Sequence, residues 1–125
     1  MRLNQVTLSV NDVERCVAFY RALGFRQIVG VPNYARFAAT EGDGTFSLHR
    51  SAGVAHEPGA TLYFECDALD ARVAALKDAG IRFLHDPVDQ PWLWREARLA
   101  DPSGNVICLY YAGSNRLDPP WRLQS

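Results

Sequence analysis

The chain has 125 residues, 48% of them hydrophobic and 22% charged, with a formal net charge of -1. That length and apolar content suit one domain with a packed core, and a near-neutral balance without clustered Lys and Arg argues against a nucleic-acid partner. No apolar stretch approaches the roughly 20 residues that span a bilayer, and no apolar signal segment follows the N-terminal charge, so a cytoplasmic protein without a membrane partner is expected.

In chain order, Leu3 to Val10 alternates as a strand, with Val6, Leu8 and Val10 on one face and Gln5, Thr7 and Ser9 on the other. A helix follows: Asn11 is the expected N-cap, with Glu14 three residues on, and Val13, Cys16, Val17, Tyr20 and Leu23 recur at helical spacing before Gly24 closes it. Phe25 to Val31 and Tyr34 to Ala39 read as strands separated by Pro32-Asn33, and Thr45 to Arg50 follows a Glu41-Gly-Asp-Gly44 hairpin turn as the fourth. Ser51 to Ala60 lacks periodicity and is read as a linker.

The pattern then restarts. Thr61 to Cys66 reads as a strand, Asp67 as an N-cap, Leu69, Val73 and Leu76 as a helix face ended by Gly80, and Trp94 to Leu99 as a further strand. Asp101-Pro-Ser-Gly-Asn105 has the residues of a reverse turn and leads into Val106 to Tyr111, the most strand-like run. Ile107, Leu109 and Tyr111 share one face of that strand, and Val106, Cys108 and Tyr110 share the other.

Aligned side by side, Val6 to Val10 matches Leu62 to Cys66, Gly24-Phe-Arg26 matches Gly80-Ile-Arg82, and Phe46 to His49 matches Ile107 to Tyr110. The chain reads as an α+β protein made of two βαβββ modules, 1–50 and 61–112, joined by the linker 51–60 and followed by a tail, 113–125. Extra residues in the second copy fall around His85 to Trp92. Each module has one helix to cover one sheet face, so the two sheets are expected to face each other and enclose a cleft. The positions assigned to it, Gln5, Thr7, Ser47, His49, Thr61, Tyr63, Glu65, Cys108 and Tyr110, are polar or amphipathic. Burying such groups unpaired costs about 1–3 kcal/mol each, which favours a ligand-filled space over packed core.

A duplicated βαβββ chain with Val6-Thr-Leu-Ser-Val-x-Asp12, Phe19-Tyr20, Leu23-Gly24-Phe25 and Asp101-Pro-Ser-Gly-Asn105 resembles the vicinal oxygen chelate superfamily, the group of glyoxalase I, the bleomycin resistance proteins and the extradiol dioxygenases. The resemblance covers roughly residues 3 to 112 and implies pairing into a homodimer. It places metal ligands at Gln5, Ser47, Thr61 and Cys108, a set without imidazole or carboxylate, so the usual metal site is expected to be degenerate and no cofactor is expected there. His49 and Glu65 lie two residues beyond Ser47 and Thr61, and with Glu96 they are the candidates for catalysis. They offer either a metal-free acid–base pair or a displaced site for Zn, Ni, Mn or Fe. The bland alternative is that His49 and Glu65 neutralise each other.

Gln5, Thr61, Tyr63, Trp92, Trp94, Cys108 and Tyr110 are the candidate substrate-binding residues, Trp92 and Trp94 being either core packing or flat walls for a planar ligand. Three functions stay open: a cleft that binds a small, partly aromatic molecule, a lyase or isomerase using His49 with Glu65, and a non-catalytic dimeric interaction module. Cys16 and Cys66 are read as small core residues rather than half of a disulfide framework. In the tail, two prolines predict an extended segment, with Trp121 docked on the body or on a partner subunit. His56 and His85 are expected to be exposed bystanders.

Overall fold

A computed structural model describes residues 1–52 and 59–124; His56 and most of the linker lie outside them. The element order is β1 (Gln5–Val10), α1 (Val13–Ala22), β2 (Arg26–Val31), β3 (Tyr34–Ala38), β4 (Thr45–Arg50), β5 (Leu62–Glu65), α2 (Leu69–Asp78), β6 (Val88–Asp89), β7 (Arg95–Ala100) and β8 (Val106–Tyr111), with a 3₁₀ helix at Gly113–Arg116. The strands form two four-stranded sheets of like topology, β1-β4-β3-β2 and β5-β8-β7-β6. The parallel pairs repeat in register, Val6 opposite Phe46 and Leu62 opposite Ile107, which are the positions that the internal match superposes. The chain is thus an α+β fold of two βαβββ modules.

Two compact units result, Met1–Ala60 with Ala100–Asn105, and Thr61–Leu99 with Val106–Ser125. In the first, α1 buries Cys16 and Tyr20, and the Tyr20 ring packs against Phe37 and Phe46 at centroid distances of 5.8 and 5.1 Å. The Tyr20 hydroxyl donates to Asp101 Oδ2 at 2.7 Å. Asp101 Oδ1 in turn accepts from the backbone N–H groups of Ser103 and Asn105, both at 2.9 Å, so one buried carboxylate shapes the Asp101–Asn105 turn and ties it to the helix. Burial, and then the Asp101 charge, pushes the Tyr20 phenol far up, keeping it a donor.

Asp12, not Asn11, is the N-cap of α1, its carboxylate accepting from Arg15 N at 3.1 Å. Asn11 is occupied elsewhere: its Oδ1 accepts from the Ser103 hydroxyl at 2.7 Å. Gly24 follows the C-cap Leu23 with φ +101°, the left-handed residue that ends the helix without a Cβ clash.

In the second unit, α2 buries Leu69, Val73 and Leu76, while Leu62, Ala97, Leu99, Ile107 and Leu109 are the buried aliphatics of its strands. The expected cap Asp67 is not used; Ala68 stands at the N-cap with no side-chain bond. Arg95 holds this end instead, gripping Asp70 in the first turn with Nε and Nη2 at 2.9 and 3.1 Å and Asp89 with Nη1 at 3.1 Å.

The tail departs from the extended segment expected of it. Its first residues form the 3₁₀ helix ahead of Pro119, because the Glu65 carboxylate satisfies the first free N–H groups. Trp121 is 57% exposed, so the chain itself does not bury it. His85 is half-buried rather than exposed, with Nδ1 2.7 Å from Asp86 O. Among the described residues no helix is long and apolar enough to cross a membrane.

Candidate functional site

In each unit, strand alternation sends apolar side chains toward the helix and collects polar and aromatic ones on the opposite sheet face. In the second unit, Tyr63 stands opposite Cys108 and Glu65 opposite Tyr110 in the β5–β8 register. Trp94, just ahead of β7, stacks on Tyr110 with ring centroids 4.7 Å apart and planes 19° from parallel. Tyr63 meets both rings edge-on, at 5.8 and 5.6 Å. These are the separations at which aromatic quadrupoles attract, so the three rings form one fixed wall.

Glu96 on β7 lies beside that wall and is fully buried. Its Oε2 accepts from Trp92 Nε1 at 2.8 Å, and its Oε1 accepts from Arg98 Nη2 and Nε at 3.3 and 3.4 Å. Arg98 also donates to the Tyr63 hydroxyl at 2.9 Å, its guanidinium carbon 5.7 Å from the centre of that ring. Trp92 can reach back because Leu93 takes a left-handed φ of +67° and Leu93 N donates to Gln90 O at 3.0 Å, which folds the β6–β7 connection into a tight turn. Cys108 is fully buried. Its thiol is pushed up to about 12 by burial and then by the Glu96 charge, so it stays S–H at neutral pH.

Glu65 is used differently. Its Oε2 accepts from the N–H groups of Ala112 and Gly113, both at 2.9 Å, and its Oε1 lies 3.9 Å from Arg116 Nε. Burial, followed by the Glu65 charge, raises the Tyr110 phenol. Thr61 is half-buried, one residue ahead of β5.

In the first unit, Gln5 Nε2 donates to the fully buried Ser47 Oγ at 2.8 Å, and the Thr45 hydroxyl donates to Gln5 Oε1. Ser47 Oγ is 2.6 Å from the Tyr34 hydroxyl, which accepts from Arg36 Nε at 3.0 Å. The β3–β4 register explains this group, setting Arg36 opposite Ser47 and Tyr34 opposite His49. The Ser47 bond first, and then the Arg36 bond, lower the Tyr34 phenol from its ordinary value. His49 itself is exposed. A separate hollow of about 690 Å³ at the first turn of α1 is lined by Asp12, Glu14, Asn33 and Arg50 among others.

The residues at the expected metal places do not fit a divalent ion. Gln5 and Ser47 spend their polar atoms on one another and on Thr45 and Tyr34, and the set of Gln5, Ser47, Thr61 and Cys108 supplies no imidazole and no carboxylate. Among the described residues no three His, Cys, Asp or Glu side chains come together to hold a metal.

The structure thus joins Tyr63, Trp92, Trp94, Glu96, Cys108 and Tyr110 on one sheet face, and Gln5 and Ser47 on the other sheet. Tyr34, Arg36 and Arg98 escaped the reading of the sequence. The signal for each was present: Tyr34 and Arg36 alternate with the apolar Ala35 and Phe37, and Arg98 follows Glu96 by two residues, so both arginines stand on polar faces.

A family model for the Glyoxalase/Bleomycin resistance protein/Dioxygenase superfamily matches residues 2–109. Among solved structures, a glyoxalase/bleomycin resistance protein/dioxygenase from Nocardioides is similar with a TM-score of 0.76 and 21% identity, over 99% of this chain and 90% of that one. Lactoylglutathione lyase from Agrobacterium tumefaciens is similar with a TM-score of 0.76 and 18% identity, over 94% and 96%. A bleomycin-binding protein complexed with bleomycin is similar with a TM-score of 0.73 and 23% identity, over 89% and 98%. No curated protein matches in sequence.

Proposed function

The chain belongs to the glyoxalase/bleomycin resistance protein/dioxygenase superfamily, and from that premise we propose that it binds a small, partly aromatic organic molecule against the aromatic face of its second sheet, without a divalent metal at Gln5, Ser47, Thr61 and Cys108. The observation that carries this reading is the fixed wall of Trp94, Tyr110 and Tyr63 beside the Glu96–Arg98 pair. Rings locked before a ligand arrives cost little entropy to use, and stacking rewards planar groups. Tyr63 and Trp92 are each 43% exposed, which leaves ring surface for contact. Arg98 and the Tyr63 hydroxyl would orient a polar substituent. The same fold carries an organic ligand in the bleomycin-binding protein.

Calorimetric titration with a panel of planar aromatic compounds tests the proposal. Trp94→Ala is expected to weaken a binder about tenfold, since stacking beyond simple burial is worth about 1 kcal/mol and the lost ring area adds to it. An unchanged affinity in Trp94→Ala would remove the aromatic wall from the site. A lyase or isomerase working through His49 and Glu65 has less support, because Glu65 already holds two backbone N–H groups. Pairing into a cytoplasmic homodimer remains part of the proposal on the family resemblance; light scattering that gave the mass of one chain would remove the pairing.

A further inference from the structure

The first sheet carries arginines and no acidic residue on its strands. Its β2 holds Arg26, β3 holds Arg36 and β4 holds His49 and Arg50; of the three arginines, Arg26 and Arg50 are exposed and Arg36 is not. Arg36 is half-buried, and among the described residues it forms no ion pair. Arg98 on the second sheet, by comparison, has Glu96 at 3.3 Å. A guanidinium partly withdrawn from water without an anion loses part of its hydration with no opposite charge to offset it.

Arg36 is also held in place. Its Nε donates to the Tyr34 hydroxyl at 3.0 Å while its guanidinium carbon lies 5.6 Å from the centre of that ring. Tyr34 is fixed by the fully buried Ser47 at 2.6 Å, and Ser47 by Gln5 at 2.8 Å. Only the Nε edge of the guanidinium is spent; the Nη1 and Nη2 groups donate to nothing among the described residues. Across the sheet His49 stands opposite Tyr34, on the same face.

We propose that Arg36, positioned by the Tyr34–Ser47–Gln5 network and flanked by His49, is an oxyanion-binding site that receives a carboxylate or phosphate group through its free guanidinium edge. Two parallel N–H donors match the spacing of such oxygens, and charge-assisted bonds of this kind are about twice as strong as neutral ones. The site lies in the first unit and does not rest on the aromatic wall of the second.

All three tryptophans belong to the second unit, so the Arg36 resonance is the direct reporter of the first. The test is an NMR titration of the ¹⁵N-labelled full chain, following the Arg36 Nε–Hε resonance while sodium acetate or inorganic phosphate replaces chloride at constant ionic strength. A saturable shift in the millimolar range is expected. Saturation by acetate identifies a carboxylate and saturation by phosphate alone identifies a phosphate. Calorimetry with the same anion should show affinity falling about tenfold in Arg36→Gln, about threefold in Tyr34→Phe, which frees the guanidinium to wander, and partly recovering in Arg36→Lys. If neither anion shifts the resonance more than chloride does, or if Arg36→Gln binds as the native chain does, the site is overturned. The wild-type titration decides this even if Arg36→Gln fails to fold, and failure of every aromatic compound at the second sheet leaves it untouched.

Discussion

Removing the Glu96 carboxylate is the sharpest perturbation of the second sheet. Glu96→Ala leaves the Trp92 N–H without its acceptor at 2.8 Å and Arg98 without its counter-ion at 3.3 Å, and it opens a hole where a fully buried side chain stood. Breaking a buried pair from one side costs about 3–5 kcal/mol, and the lower end applies because the Arg98 side chain is 31% exposed and regains some hydration. Glu96→Gln keeps the shape and an oxygen for Trp92, but it turns an amide donor toward the two Arg98 donors, so both longer bonds to the partly exposed Arg98 are lost. About 1 kcal/mol is expected for it. With a urea slope of about 2 kcal/mol per M, the midpoint should fall by about 1.5 M in Glu96→Ala and about 0.5 M in Glu96→Gln. Equilibrium urea titration at neutral pH, followed by far-ultraviolet circular dichroism, measures both. A Glu96→Ala midpoint within about 0.3 M of the native value would refute the view that this carboxylate organises the face.

Tyr20→Phe should cost about 1.5–3 kcal/mol in the same assay, because it removes a hydrogen bond to the buried Asp101 carboxylate and leaves the ring packing intact. Native Cys108 should resist iodoacetamide at pH 8, where its raised thiol carries almost no thiolate, and should react only after unfolding, as quantified by mass spectrometry. The Asp70 carboxyl is held below the ordinary range by its bonds to Arg95. Since the folded value is the depressed one, the contribution is present above about pH 4 and is lost as pH falls through the folded value. Arg95→Met should therefore lower the melting temperature at pH 7, and the difference should close toward pH 2. Absorbance titration should find one tyrosine ionising below the others, and Tyr34→Phe should abolish that early step.

The architecture was legible because it is written twice. Matching Val6 with Leu62 and Phe46 with Ile107 predicted a repeated unit, those positions pair in like register in the two sheets, and the closing glycines Gly24 and Gly80 both take the left-handed conformation that their helix ends require. Local competition was harder to read. Asn11 and Asp12 are equally good caps by residue type, and the choice between them turns on Ser103, 92 residues away, which claims Asn11. Glu65 was picked out by strand parity as a group of chemical interest; nothing local shows that its carboxylate meets the first N–H groups of the C-terminal 3₁₀ helix.

The site was legible by alternation and obscure by partner. Parity alone put Tyr63, Cys108 and Tyr110 on one face, and the tryptophans drew attention by their bulk. Arg36 and Arg98 passed unnoticed because an arginine in a strand is ordinary until its counter-ion, or the lack of one, is known. That is a property of the neighbouring strands and not of the residue.

The central claim is a metal-free aromatic site on the second sheet. The most direct test is tryptophan fluorescence of chelator-treated protein titrated with planar aromatic compounds, repeated with Zn²⁺, Ni²⁺, Mn²⁺ or Fe²⁺ added. Saturable quenching that is the same with and without metal, and lost in Trp94→Ala, is the predicted result. Quenching that appears only after a divalent ion is restored would contradict it.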